Sequence, residues 1–177
     1  MSGELGRLIA QRIALTGPIS VADFMSEALL HPRLGYYRKA LPVGAAGDFT
    51  TAPEISQIFG ELLGAWVAER WLAMGSPDPA RLVELGPGRG SLMADALRAT
   101  RSVPGFHAAI RLHLVEINER LQALQRTALK TFQPTWHGRL DDVPEGPTLL
   151  IANEFFDALP IRQFEKTSRG WSFKIRL

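Results

Sequence analysis

The sequence predicts an α/β fold in which helices cover both faces of a parallel sheet, preceded by a helical N-terminal extension. Two observations carry this prediction. From residue 81 onward, short apolar runs typical of buried strands alternate with helical patterns, and this alternation implies right-handed βαβ units. Before residue 76, apolar residues recur mainly with helical spacing. We therefore predict two domains, a helical extension over residues 1–75 and an α/β domain over residues 76–177.

The N-terminal region is predicted to contain three helices, separated by glycine and proline. They are expected over residues 3–15, 21–31 and 51–74. Ser20 is expected to cap the second helix, because Asp23 stands three positions later as in a capping box. Residues 31–52 are expected to form a loop, since glycine and proline recur throughout them.

The remainder of the chain is predicted to contain four parallel strands, the helices between them, and a β-hairpin. The strands are expected over residues 81–85, 110–116, 135–137 and 148–152. Helices are expected over residues 91–101 and 118–132, and the hairpin over residues 162–177.

Composition and charge exclude several classes of protein. The 177 residues carry 20 Lys and Arg against 18 Asp and Glu, interspersed in sign, so we expect no nucleic-acid partner. The absence of cysteine excludes disulfides, thiolate metal sites and a cysteine nucleophile, and the four histidines lack metal-ligand spacing. No apolar run reaches the ~18 residues of a membrane span. Since Glu4 also argues against a signal peptide, we expect an intracellular protein with no membrane association.

A glycine-rich turn after the first predicted strand is the strongest candidate binding site. Its sequence is Glu84-Leu85-Gly86-Pro87-Gly88-Arg89-Gly90. Ligands of open α/β sheets bind at such strand ends, and glycine lets the backbone approach them closely. Glycines at the first, third and fifth places suit S-adenosylmethionine, because Glu84 would repel a diphosphate but can accept a cationic amino group. A nicotinamide-dependent oxidoreductase is a weaker alternative, since Ser91 occupies the sixth place where a dinucleotide fingerprint has glycine. The third possibility is a glycine-rich turn that only reverses the direction of the chain and binds no ligand.

Further acids are predicted at the same edge of the sheet. Glu116 ends the second strand, where its carboxylate can accept two hydrogen bonds from a ribose diol. Asp141 and Asp142 follow the third strand, and they either bond the adenine amino group or lie in an exposed turn.

The residues after the fourth strand are interpreted as an acceptor pocket. They read Asn153-Glu154-Phe155-Phe156-Asp157-Ala158-Leu159-Pro160. Asn153 loosely matches the start of the Asn-Pro-Pro-Tyr box of amino-methylating enzymes, but both prolines are absent, which argues against a nucleobase methylase. Glu154 can hold a guanidinium in bidentate geometry. In the alternative interpretation, Asp157 caps the next helix and the phenylalanines belong to the core.

Three motifs, taken together, closely resemble the MidA family, which contains the mitochondrial complex I assembly-factor methyltransferase and its bacterial relatives. They are residues 47–62, 84–90 and 153–160. The resemblance implies a class I, Rossmann-like, S-adenosylmethionine-dependent methyltransferase fold. For the mitochondrial member it implies arginine methylation of a complex I subunit. By family placement, the segment containing Asp48 and Thr50 closes over the cofactor, and the family's members are considerably longer than this chain.

We therefore predict methyl transfer from S-adenosylmethionine to an arginine side chain of a protein, with a respiratory complex I subunit as the type of substrate. Glu154, with Asp157 and Asn153, is predicted to orient the guanidinium and favour its nitrogen lone pair. The alternative is a non-catalytic cofactor-binding assembly protein. Composition rich in Ala, Arg and Gly, without a transit peptide, favours a bacterial cytoplasmic protein, and the mitochondrial matrix is expected for a eukaryotic one.

Overall fold

The computed structural model describes residues 3–39 and 51–173. Its helices are α1 Glu4–Thr16, α2 Val21–Leu30, α3 Tyr36–Lys39, α4 Ala52–Ile55, α5 Gln57–Ala73, α6 Ser91–Ala99, α7 Phe106–Ala109 and α8 Glu119–Ala128. Its strands are β1 Ala80–Leu85, β2 Ile110–Val115, β3 Thr135–His137, β4 Thr148–Ile151, β5 Phe164–Thr167 and β6 Gly170–Phe173. Within these ranges, no helix is both long enough and apolar enough to cross a membrane.

The chain divides into two compact units. One contains Met1–Ala40 and Phe156–Leu177, and the other contains Leu41–Phe155. The first unit holds α1 to α3 and the predicted hairpin, in which β5 and β6 pair antiparallel. The second holds α4 to α8 and the parallel sheet. The predicted division of the sequence at residue 75 stays a prediction.

The predicted cap of the second helix is confirmed. The Asp23 amide donates to Ser20 Oγ at 3.0 Å, while Asp23 Oδ2 accepts the Ser20 amide at 3.3 Å and its hydroxyl at 2.6 Å. Both orphan donors at the start of α2 are thereby satisfied, as in a capping box.

The predicted helix over residues 51–74 is wrong in one respect, because it is broken at Ser56. This residue has extended backbone, with φ −149° and ψ 125°, and its hydroxyl accepts the Ile58 amide at 3.3 Å. A serine that caps a new helix in this way ends the preceding one, so α4 and α5 form separately. The expected loop over residues 31–52 is also interrupted, by α3.

The sheet has the order β3-β2-β1-β4, with every neighbouring pair parallel. β1 lies between β2 and β4, with Leu85 opposite Val115 on one side and Glu84 opposite Ile151 on the other. Since the chain crosses from one side of β1 to the other, a topological switch point lies at the carboxyl end of β1. The predicted α/β class with a parallel sheet is confirmed.

Close helix packing holds the start of α6 against the sheet. The main cluster of buried apolar residues combines α5, α6 and α7 with one face of the strands, which includes Leu82. A Cβ atom at Gly64 would lie 2.6 Å from Ala96 Cα, so the glycine lets α5 approach the backbone of α6. On the opposite face, Val83, Leu85 and Val115 form a smaller cluster with half-buried Phe155 packed against it.

Candidate functional site

The predicted glycine turn leads directly from β1 to α6. Gly86, Gly88 and Gly90 have φ values of +60°, +54° and +86°, a region that side-chain-bearing residues rarely adopt. The Gly86 amide donates to Val115 O at 3.0 Å, and Gly88 O accepts Gln125 Nε2 at 2.7 Å. The turn is therefore held from two sides, by the end of β2 and by α8.

Gly86 also allows a close approach that no other residue type would permit. A Cβ atom built at this position would lie 2.7 Å from Cδ2 of Phe155. The aromatic ring thus lies directly against the backbone of the turn. This contact links the end of β1 to the segment that follows β4.

Glu84, the acid that precedes the turn, is buried. Its residue exposure is 3%, and within the described ranges its Oε2 atom is the one buried side-chain nitrogen or oxygen without a hydrogen bond. Burial alone raises the pKa of this carboxyl to about 8. A buried polar atom without a partner is costly, so it indicates a site that a ligand donor would complete.

Glu116 is also buried, at 8% exposure, but its carboxylate is hydrogen-bonded. Its Oε1 accepts the Asn118 amide at 2.7 Å, and its own amide donates to His137 O at 3.0 Å. Asn118 in turn caps α8 by accepting the Arg120 amide at 3.0 Å. Because Glu116 follows Val115, which bonds Gly86, the structure brings this acid to the predicted edge beside the glycine turn.

Asp141 lies in an exposed turn after β3. It belongs to a 3₁₀ turn over Leu140–Asp142, and its side chain is 79% exposed and accepts Arg139 Nη2 at 3.1 Å. Asp142 accepts the Arg139 amide, also at 3.1 Å. These residues lie in an exposed turn, and a bond from Asp141 to the adenine amino group stays a prediction.

The predicted catalytic residues are more exposed than the acids of β1 and β2. Asn153 is half-buried, Glu154 is exposed, and Glu154 has a φ of +48°, an uncommon value for a residue with a side chain. Asp157 belongs to the other compact unit, within a 3₁₀ turn over Phe156–Ala158. There, burial and then the charge of Asp157 raise the pKa of Tyr37.

The two phenylalanines that follow Glu154 differ in their burial. Phe155 is half-buried against the smaller cluster, as the core interpretation expects, whereas Phe156 is 65% exposed. The predicted cofactor residues Asp48 and Thr50 lie outside the described residues.

Glu54 is a functional candidate that the sequence analysis missed. Its Oε1 accepts the Ser91 hydroxyl at 2.6 Å, and its Oε2 lies 3.9 Å from Arg89 Nε. Glu54 thus ties α4 to the glycine turn and to the first residue of α6, where a carboxylate is favoured by the helix dipole. Its position predicts only part of the helix over residues 51–74, and no local pattern indicates a contact with a residue 37 positions away.

The chemistry of the site fits an adenosyl sulfonium compound better than a diphosphate. Two buried acids, Glu84 and Glu116, flank a turn whose backbone a ligand can approach, and the cation within the turn, Arg89, lies beside Glu54. An ammonium group would satisfy Glu84 Oε2, and ribose hydroxyls are suitable donors to a fixed carboxylate. No group of three or more potential metal ligands occurs in the described part of the chain.

Comparison with known proteins points in the same direction. Residues 62–175 match the model of a family described as putative S-adenosyl-L-methionine-dependent methyltransferase. The chain is 45% identical over 186 residues to the mitochondrial protein arginine methyltransferase NDUFAF7 of Danio rerio, and the match covers 92% of this chain and 44% of that protein. It is 41% identical over 189 residues to the Homo sapiens protein of the same name, covering 93% of this chain and 43% of that protein.

A solved structure is similar over nearly the whole chain. It is a COG1565 superfamily member from Burkholderia thailandensis bound to S-adenosyl-homocysteine, with a TM-score of 0.75 and 30% identity. The match covers 96% of this chain and 45% of that one. The chain therefore spans less than half the length of the relatives that it matches.

Proposed function

The chain belongs to the family of putative S-adenosyl-L-methionine-dependent methyltransferases, and from this premise we propose that it binds S-adenosylmethionine and transfers the methyl group to arginine in a protein. One observation carries the proposal. Among the described residues, the buried Glu84 Oε2 has no hydrogen-bond partner beside the glycine turn, in a chain whose structural relative holds S-adenosyl-homocysteine. The resemblance to the MidA family, drawn from three motifs, agrees with the NDUFAF7 relatives.

Each cofactor-binding residue has a separate role in this proposal. Glu84 accepts the cofactor's amino group, the backbone of Gly86 to Gly90 lines its path, and Glu116 accepts the ribose hydroxyls. Asp141 remains the candidate for the adenine amino group. When bound, the cofactor supplies a methyl group already activated on a sulfonium, so the protein contributes mainly alignment, an effect worth up to ~7–11 kcal/mol.

The acceptor residues follow β4, beside the strand that carries Glu84. A guanidinium is protonated at neutral pH, so one of its nitrogens must be directed at the methyl group and must release a proton, to a carboxylate or to solvent, as the methyl group moves from sulfur to nitrogen. We propose that Glu154 holds it, with Asn153 and Asp157 assisting. The positive φ of Glu154 supports this assignment, because such backbone strain clusters at functional sites.

The acceptor class rests on the relatives. The relatives from Danio rerio and Homo sapiens are named protein arginine methyltransferases, and we infer a protein substrate for this chain, with the complex I subunit implied by the MidA resemblance. Their names also place those proteins in mitochondria. From this similarity we infer the mitochondrial matrix as the location if the chain is eukaryotic. The cytoplasmic location of a bacterial chain stays a prediction.

Titration calorimetry and methyl transfer test the proposal together. The purified chain should bind S-adenosyl-homocysteine, with NADH failing to compete, and should transfer a radiolabelled methyl group to arginine of complex I subunits. Glu154→Gln should keep the affinity for S-adenosyl-homocysteine and lower the transfer rate. Glu145→Gln, which alters an exposed acid that precedes β4 instead of following it, is the matched control and should change neither.

The outcomes separate the alternatives. Binding without transfer would favour a cofactor-binding assembly protein. Competition by NADH would favour an oxidoreductase. Absence of binding to S-adenosyl-homocysteine would overturn the proposed function.

A further inference from the structure

Glu84 is enclosed by apolar residues. Its neighbours in register are Leu114 of β2 and Ile151 of β4, both buried. Strand alternation places its side chain on the same face as Leu82, against the cluster that includes α5 and α6. A charged carboxylate in this position would lose its hydration without gaining a hydrogen bond at Oε2.

The charged groups of the surrounding elements are engaged elsewhere. Glu54 of α4 bonds the Ser91 hydroxyl and lies beside Arg89, and Asp95 of α6 pairs with Arg98 at 2.6 Å. Glu61 of α5 pairs with the same arginine at 2.8 Å.

The basic side chains of β1 and β2 point away from Glu84. Alternation directs Arg81, Arg111 and His113 to the opposite face of the sheet. Burial is accordingly the single cause of the raised pKa of Glu84, which is about 8, and no counter-ion within residues 3–39 and 51–173 stabilises its charge.

We propose that Glu84 is a neutral carboxylic acid in the cofactor-free protein and gives up its proton to solvent when the cofactor's ammonium group binds. This inference rests on the proposed function, since the cofactor supplies the ammonium group. The proton balance is simple: a neutral acid and a free ammonium ion become a carboxylate–ammonium pair, and one proton is released. No covalent bond of the cofactor changes.

Cofactor affinity is therefore coupled to pH. Below about pH 8, the carboxyl must be deprotonated before the ion pair forms, so affinity should rise up to about tenfold for each unit of pH. A site whose acid was already ionised would show no such dependence.

Calorimetry with S-adenosyl-homocysteine, which carries the same amino group, measures the coupling directly. Titrations of the full chain near neutral pH, in two buffers with different ionisation enthalpies, should show the release of about one proton per ligand. Glu84→Gln should reduce that number toward zero and make the affinity nearly independent of pH. Glu116→Gln is the matched control, because this acid already accepts the Asn118 amide, and it should weaken binding without changing the proton count.

A second measurement needs no ligand. The raised pKa of Glu84 means that its stabilising contribution is fully present below the unfolded pKa and is lost as pH rises toward about 8. The free energy of unfolding should therefore fall with pH in the original chain, and Glu84→Gln should fall less steeply. Difference infrared spectra should show a protonated carboxyl band that disappears with S-adenosyl-homocysteine and is absent from Glu84→Gln.

The failures are distinguishable. Binding of S-adenosyl-homocysteine without proton release, together with equal pH slopes for the original chain and Glu84→Gln, would overturn the inference and leave the proposed function standing. Absence of binding would overturn both.

Discussion

The acids at the carboxyl ends of β1 and β2 and the acid that follows β4 lie at one edge of one sheet, yet their environments are opposite. Glu84 and Glu116 are 3% and 8% exposed, and each lies among strands and helices that close the core. Glu154 is exposed, on a turn with a positive φ. We refer to the first two, with the glycine turn, as the cofactor half of the proposed site, and to residues 153–155 as its acceptor half.

The difference shows which interactions are already formed in the described structure before a ligand binds. In the cofactor half water is excluded, so each hydrogen bond and each charge interaction is stronger than it would be in solvent. Hydrogen bonds with Val115 and Gln125 also hold the backbone of the glycine turn. In the acceptor half, an ion pair between an exposed carboxylate and a neighbouring side chain of the protein contributes only ~0–1 kcal/mol to the stability of the fold. We therefore expect substitutions in the cofactor half to change stability and binding, and those in the acceptor half to change turnover.

The largest expected effect comes from Gly86→Ala. A left-handed backbone costs a residue with a side chain roughly 1–2 kcal/mol, and the new methyl group would lie 2.7 Å from the ring of Phe155, which adds roughly 1–3 kcal/mol of overpacking. Denaturant unfolding should show a loss of about 2–5 kcal/mol. Gly138→Ala, where no atom lies within 4 Å of the new methyl group, should stay within ~0.5 kcal/mol.

A double substitution separates the two causes. Phe155→Ala removes the ring, so combining it with Gly86→Ala should cost less than the sum of the single losses, while the backbone strain persists. Strict additivity would show that the ring does not lie against the turn and would weaken the proposed rigidity of the cofactor half.

The next effect concerns Glu116 and appears in binding. Charge-assisted hydrogen bonds contribute ~1.5–3 kcal/mol each, so Glu116→Ala should lower the affinity for S-adenosyl-homocysteine roughly tenfold or more in calorimetry. Glu119→Ala, at an exposed acid three residues further on, should leave the affinity unchanged. Equal affinities for the original chain and Glu116→Ala would remove this acid from the site.

The cofactor half could be largely predicted from the sequence, because its parts are local. The apolar run ending at Glu84 marks a strand, and glycines at fixed spacing mark the turn. The burial of Glu84 could not be predicted, since it depends on Leu114 and Ile151 of neighbouring strands. The partners of Glu54 depend on a contact across 37 residues, and the break at Ser56 is set by one side chain competing with the helix.

The acceptor half was predicted in composition but not in conformation. Asn153 and Glu154 follow β4 as the strand pattern requires, whereas the left-handed backbone of Glu154, next to the Phe155 ring that lies against Gly86, is not indicated by that pattern. Because glutamate seldom adopts a left-handed backbone, its presence at this position does not predict one.

The smallest expected effect on stability is therefore at Glu154. It tests the expectation that substitutions in the acceptor half change turnover and not stability. Glycine adopts a φ of +48° without strain, and its greater freedom in the unfolded chain offsets part of that gain. Glu154→Gly should leave the free energy of unfolding unchanged or raise it by up to about 1 kcal/mol, as denaturant unfolding would measure.

Affinity for S-adenosyl-homocysteine should also be unchanged, while methyl transfer to arginine should fall at least about tenfold, since one charge-assisted contact of ~1.5–3 kcal/mol is lost. A stability loss above ~1 kcal/mol would instead mean that the Glu154 side chain supports the fold, and the distinction between a rigid cofactor half and a solvent-exposed acceptor half would no longer hold.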